Sequence, residues 1–278
     1  MSRQLPSGVG RVLFFGPAVI VAVMLASSPI TAQNAAPAYR APRTADGKPN
    51  LSGIWQAMTS ANWDIEAHAA APSPVREMGA AGLVAPGLGI VDGGAIPYTP
   101  AALAKKKENY ARRMELDPEV KCYLPGVPRA MYMPYPFQIV QNPKHIMMVF
   151  EFAGGLRTVY MDNHTPEPAD SWMGWSNGRW EGEALLIETT GFNDLSWFDR
   201  AGNHHSERMK VVERISARSA DTLNYEATIE DPAVFTRPWK ISMPLYRRVE
   251  RDARVLEIRC VDFVEDLIYG HLKKPGLK

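Results

Sequence analysis

From Phe137 onward, apolar and polar residues alternate in short runs separated by turn-forming residues, the pattern of successive antiparallel strands. FQIVQ is followed by Asn142-Pro143, HIMMVFEF by a Gly154-Gly155 turn, and then LRTVYMD. WMGWS and RWEG flank Asn177-Gly178, a dipeptide favoured in two-residue hairpin loops, which predicts a hairpin there. ALLIETTGF, SERMKVVERIS, LNYEATIE, WKISMPLYRR and VLEIRCVDF complete the series. In LNYEATIE, Leu223, Tyr225, Ala227 and Ile229 alternate with polar neighbours, so one face is buried and one is wet. HIMMVFEF is apolar on both faces, which predicts a strand covered from outside by a helix or the long loop. Upstream, SGIWQ reads as a first strand.

One helix interrupts this pattern. Thr99 supplies an N-cap and Pro100 a first-turn proline for AALAKKKENYARRMEL, which Asp117 and Pro118 should close. Its lysines and arginines form a solvated face. Between the first strand and this helix, residues 67–97 are dominated by Ala, Gly and Pro and predict a long irregular loop. Consecutive strands with no helix between them give an all-β fold. Short connections favour an antiparallel meander closing into a lipocalin-like barrel, with one N-terminal helix and long loops. Closure removes exposed edges, and a small barrel is either filled by side chains or holds one small ligand.

The N-terminus carries Arg3 and Arg11, an apolar run from Val12 to Ala26, and then SSPITAQ, the layout of a secretory signal. The sequence therefore divides into a signal peptide over 1–32, a flexible leader over 33–50 and a single barrel domain over 51–278, in a periplasmic or secreted protein. Oxidising conditions make a Cys122–Cys260 disulfide the natural reading of the two cysteines; two buried thiols or one reactive thiol are the alternatives. The formal charge of +1, from 31 basic and 30 acidic residues, gives no electrostatic reason to expect nucleic acid or an anionic membrane as partner. A small-molecule ligand or substrate stays open, and no later run is apolar enough to span a bilayer.

The stretches LSGIWQ, CYLPGVPR, PFQIVQNP, YMDNH, GWSNGRWEGEALLIETTGFN, HSERMKVVERI and DTLNYEATIEDPAVFTRPW resemble a large family of exported bacterial proteins. They span most of the chain from Leu51 to Trp239, and the WEGEALLIETTGF block is the specific one. The resemblance implies a secreted, lipocalin-like barrel and carries no catalytic residue across. The chain departs from the family pattern near its end, where CVDFVEDLIYGHL replaces an expected Gly-Asn-Tyr segment.

Three clusters carry candidate chemistry. Indole faces suit sugar rings, terpenoid skeletons or aromatic ligands, which makes Trp55, Trp172, Trp175 and Trp197 candidate ligand contacts, although tryptophan in a β protein is commonly core. Asp162 lies two residues before His164 at the end of LRTVYMD, where a carboxylate can orient a histidine as a general base; an Asx turn explains the same pair. Arg157, which shares a face with Val159 and Met161, and His205 are candidates to stabilise developing negative charge. His204, His205, Ser206 and Glu207 form the third cluster. It has neither metal-site spacing nor a GxSxG elbow, and Gly93-Gly94 lacks the strand and helix of a phosphate cradle. No metal or nucleotide cofactor is expected. Three functions follow: an acid/base enzyme of lyase, isomerase, cyclase or hydrolase type, a non-catalytic periplasmic binding protein, and a structural envelope protein with a packed barrel.

Overall fold

The computed structural model describes residues 39–74, 82–165 and 168–258. The proposed signal segment and Cys260 lie outside them. Nine strands follow in chain order: β1 (Gly53–Ala57), β2 (Phe137–Gln141), β3 (His145–Phe150), β4 (Leu156–Tyr160), β5 (Trp175–Glu181), β6 (Ala184–Thr190), β7 (Lys210–Ser219), β8 (Thr222–Glu230) and β9 (Trp239–Arg247). Each pairs with the next, and β9 returns to β1 through Trp55↔Arg247 to Ala57↔Leu245, so the sheet is a closed barrel.

The barrel is not a pure meander. A closed ring with an odd number of strands cannot be antiparallel at every seam, because each antiparallel neighbour reverses direction and the reversals must cancel around the ring. The unavoidable parallel seam lies between β4 and β5, where Val159 pairs with Ser176 and Tyr160 with Asn177. This corrects the all-antiparallel expectation and overturns the Asn177-Gly178 hairpin with it. Both residues are interior to β5, and the turn to β6 is Gly182-Glu183, with Gly182 at φ +59° in the first loop position. Gly178 is required for a different reason: a Cβ there would sit 2.7 Å from both the Met161 sulfur and a Val159 methyl. It lets the end of β4 approach β5 closely.

The alternation read from sequence sets the core. Leu223, Tyr225, Ala227 and Ile229 of β8 and Trp239, Ile241, Met243 and Leu245 of β9 point inward and are buried. In β3, Ile146, Met148 and Phe150 point inward while Met147 and Val149 stay half-buried on the outer wall. Thr99 caps the helix α1 (Pro100–Ala111) by accepting from the Ala102 N–H, and a short α2 (Arg113–Leu116) follows a break at Arg112. Part of the expected irregular loop continues the sheet: β9 outruns the short β1, and Ile90 and Asp92 bond to its free edge through Ser242 N–H and Lys240 O. VLEIR, read as a strand, has no strand in its described residues, 255–258.

Residues 39–50 also differ from the flexible-leader expectation. Ala41 and Pro49 are buried, Arg43 pairs with Glu183 in the β5–β6 turn, and Gln141 donates to Pro49 O at 3.0 Å. The Asp46-Gly47 turn folds these residues back on themselves, with Arg43 bridging to Pro49. Cys122 is disulfide-bonded and packs beside Met133 and Phe152. Among the described residues no helix is long and apolar enough to cross a membrane.

Candidate functional site on the outer wall

The barrel interior holds Arg157, one of the candidates for stabilising negative charge. Its guanidinium grips the Glu213 carboxylate with two N–H groups, one at 3.0 Å, and also donates to Ser176 Oγ (2.9 Å) and Thr189 Oγ1 (2.8 Å). Tyr225 OH donates to Glu213 at 2.8 Å. Every member of this network is buried, so its charges neutralise each other inside the barrel. Arg157 therefore faces away from the Asp162–His164 pair and is a structural element of the core.

A second buried network ties the connecting segments together. Arg129 donates to Asp117 (3.1 Å), Glu119 (2.5 Å) and Asn62 (2.8 Å), and Arg200 adds a two-pronged contact to Glu119. Burial alone would raise the Glu119 pKa, but Arg200 and Arg129 overcome it and hold the carboxyl at about 2. Asp199 accepts from Ile65 N–H, Ala201 N–H and Asn203 Nδ2, while burial and the neighbouring Asp64 push it up to about 7.

His205 belongs to these connections. Its Nδ1 faces Ser206 O at 2.9 Å and its Nε2 lies 2.7 Å from Ser196 Oγ. A carbonyl only accepts, so the proton sits on Nδ1 and the Ser196 hydroxyl donates to Nε2. Burial keeps His205 neutral by lowering its pKa. A hydroxyl against an imidazole is the first contact of a nucleophile and base, but Ser196 is 2% exposed and His205 4%. A Cβ on Gly126 would stand 2.4 Å from the Ser196 oxygen, so the Gly126 backbone seals this pair. His205 does not approach His164.

Two of the four tryptophans named from sequence, Trp55 and Trp197, are buried, and Trp172 is half-buried. Trp55 is fully buried, donates to Leu51 O at 3.0 Å and carries the Arg247 guanidinium over its ring. Trp197 is buried, and Trp172 packs against Tyr123 with centroids 5.1 Å apart. Trp175 is different, because it projects outward from the first residue of β5 beside the parallel seam.

There the end of β4 and the start of β5 assemble an outer-wall groove of about 560 Å³. Met161, Asp162 and Asn163 form one side; Trp175, Asn177 and Arg179 of β5 and Glu188 and Thr190 of β6 form the other. Tyr160 stacks against both Trp175 (4.7 Å) and His164 (4.8 Å), whose own rings lie 6.1 Å apart, and His145 meets its edge at 5.4 Å. Asp162 Oδ1 lies 3.5 Å from His164 Nδ1, both about half exposed, so the sequence-predicted pair does form. Asn177 Nδ2 donates to His164 O at 2.9 Å, fixing the segment against the wall.

Two polar atoms of this groove are buried with no partner in the protein: Trp175 Nε1 and Asn177 Oδ1. They lie two residues apart on one face of one strand, one a donor and the other an acceptor. Two more unpartnered atoms, His204 Nδ1 and Trp239 Nε1, sit in the ring cluster around Tyr98 and Phe235. No three His, Cys, Asp or Glu side chains converge as a metal site among the described residues. Sequence reasoning singled out Trp175 but missed Asn177, which it placed in a turn, and Tyr160. Tyr160 falls on the outward face in the alternation of LRTVY, which was the available signal.

The fold and the groove define a closed nine-stranded mixed barrel with a concavity on its outer wall. No protein-family model matches the chain, and no curated protein matches it.

Proposed function

We propose that this is an exported small-molecule-binding barrel that takes its ligand in the outer groove between the β4 end and β5. The observation that carries this reading is the pair of unpartnered buried atoms, Trp175 Nε1 and Asn177 Oδ1, in side chains lining a 560 Å³ concavity. An unmade buried hydrogen bond costs roughly 1–3 kcal/mol, and a ligand supplying both partners recovers that cost as affinity. The buried Arg157–Glu213 pair and the buried inward side chains of β8 and β9 support reading the ligand site outward rather than inside the barrel. Metabolite capture on purified mature protein, with mass spectrometry of the released compounds, tests it. Compounds enriched by the wild type and lost from both Trp175→Ala and Asn177→Ala are the expected result. Equal recovery from all three proteins removes the groove as the site.

The Asp162–His164 contact favours a second reading, an acid/base enzyme working at the rim of the same groove. The carboxylate orients the imidazole, and the exposed ring nitrogen exchanges a proton with a ligand lying against Trp175. His164→Gln should then abolish turnover of a captured compound while leaving its binding intact. Retained turnover in that variant leaves the binding reading alone.

A further inference from the structure

The groove's charges and its two unpartnered atoms together select a class of ligand. Two of the three charged side chains lining the groove have an opposite charge beside them, Arg179 with Glu181 at 3.0 Å and Glu188 with Lys210 at 2.8 Å, while Asp162 faces the His164 imidazole at 3.5 Å. An anionic ligand would find no spare cation in the lining and would have to break the Arg179–Glu181 pair. What lacks a partner is neutral, an indole N–H and an amide oxygen.

We infer that the groove binds a neutral polyhydroxylated ring, a saccharide or cyclitol, with one hydroxyl accepting from Trp175 Nε1–H and a neighbouring hydroxyl donating to Asn177 Oδ1. This deepens the proposed function and rests on it. A hydroxyl both donates and accepts, so adjacent ring hydroxyls can complement a donor and an acceptor spaced by one strand residue. The apolar face of such a ring matches the Trp175 indole, the aromatic side chain that lines the groove, which Tyr160 holds in place by stacking on it. A purely apolar ligand would leave both polar atoms unpaired, and a phosphate or carboxylate would present no donor to Asn177.

Both polar atoms are shielded from solvent, so binding includes a local displacement. The His164 segment is the part that yields, because its described residues, 162–165, are exposed and meet the wall through the Asn177–His164 O hydrogen bond and ring stacking. Freeing Asn177 Nδ2 from that carbonyl also gives the ligand a second donor.

The test is ligand-observed NMR and titration of the mature protein with neutral mono- and disaccharides and myo-inositol. Glucuronate, glucosamine, p-cresol and benzamide serve as charged, apolar and amide comparisons. Saturable binding of at least one neutral polyol is expected. It should weaken about tenfold in Trp175→Phe, which keeps an aromatic ring and deletes the N–H, and similarly in Asn177→Ala. Circular dichroism confirms that both variants fold. Tighter binding of p-cresol, benzamide or a charged sugar than of any neutral polyol, lost in the same variants, overturns the ligand class and leaves the groove reading standing. Polyol binding unaffected by either substitution, or no binding by any probe, overturns the inference; in the first case the groove reading falls as well.

Discussion

The Arg157 network inside the barrel and the outer groove both hold buried polar groups, and they treat them in opposite ways. Inside, the Glu213 carboxylate receives two N–H groups of Arg157 and the Tyr225 hydroxyl, and the remaining Arg157 donors end on Ser176, Thr189 and the Met148 sulfur. At the groove, Trp175 Nε1 and Asn177 Oδ1 end on nothing in the protein. A saturated network rigidifies and specifies the fold, whereas an unsaturated one costs stability unless something else completes it. The contrast separates what Arg157 does from what Trp175 does, although the sequence made both look like candidates for a site.

The largest effect is expected where the saturated network is cut on one side. Glu213→Ala strands the Arg157 guanidinium in the core and should cost about 3–5 kcal/mol, read as a shift in the denaturant midpoint. Arg157→Met combined with Glu213→Leu removes both charges and should recover most of that loss. If the single substitution costs less than about 1 kcal/mol, water reaches the interior and the contrast with the groove fails.

Glu119 gives the next effect, and it has a pH signature. Its folded pKa of about 2 lies below the ordinary value of 4.5. The group therefore stabilises the fold above pH 4.5, and that contribution disappears as pH falls from 4.5 towards 2. The difference in stability between wild type and Glu119→Gln should accordingly shrink by about 3 kcal/mol over that window. Asp199, raised to about 7 by burial and Asp64, works with the other sign, losing its contribution as pH rises through that value. A pH-independent difference for Glu119→Gln would mean that its carboxylate is not held by Arg200 and Arg129.

How much of this was legible depends on what each position has to satisfy. The β8 alternation was readable because Leu223, Tyr225, Ala227 and Ile229 answer to one requirement, facing the core. Asn177-Gly178 misled because a glycine in a strand is chosen by its neighbours across the sheet. Here those are Met161 and Val159, which no local pattern reveals. The Asp162–His164 pair was legible as a pair because it is local. Its separation from Arg157 and His205 depends on which face of the barrel each occupies. Glu213 carried a signal that went unused: in VVERI it occupies the inward position between Val211 and Ile215, and an inward carboxylate demands a buried cation.

The parallel seam that creates the groove offers an intermediate effect. Gly178→Ala would force its Cβ against Met161 and Val159 and should cost about 1–3 kcal/mol by overpacking. Gly182→Ala, at the exposed turn where nothing lies within 4 Å, meets only the backbone penalty of its positive φ, about 1 kcal/mol. Thermal unfolding of the two variants checks the order. The reverse order would return the glycine requirement to the turn and weaken the account of how β4 meets β5.

The smallest effect discriminates most sharply between the two regions. Trp175→Phe and Tyr225→Phe each delete one hydrogen-bonding group from a ring and keep most of the ring's bulk. In Tyr225 the hydroxyl donates to Glu213 at 2.8 Å, so its loss removes a charge-assisted bond and should cost about 1.5–3 kcal/mol. In Trp175 the indole N–H is buried without a partner, so its loss removes an unpaid desolvation; the smaller ring forfeits some packing against Tyr160. The two contributions oppose each other, and Trp175→Phe should fall within about 0.5 kcal/mol of wild type in ligand-free protein. Denaturant titration of both variants beside the wild type measures the pair directly. If Trp175→Phe loses as much stability as Tyr225→Phe, the indole N–H has a partner in the free protein, and the groove is as saturated as the core.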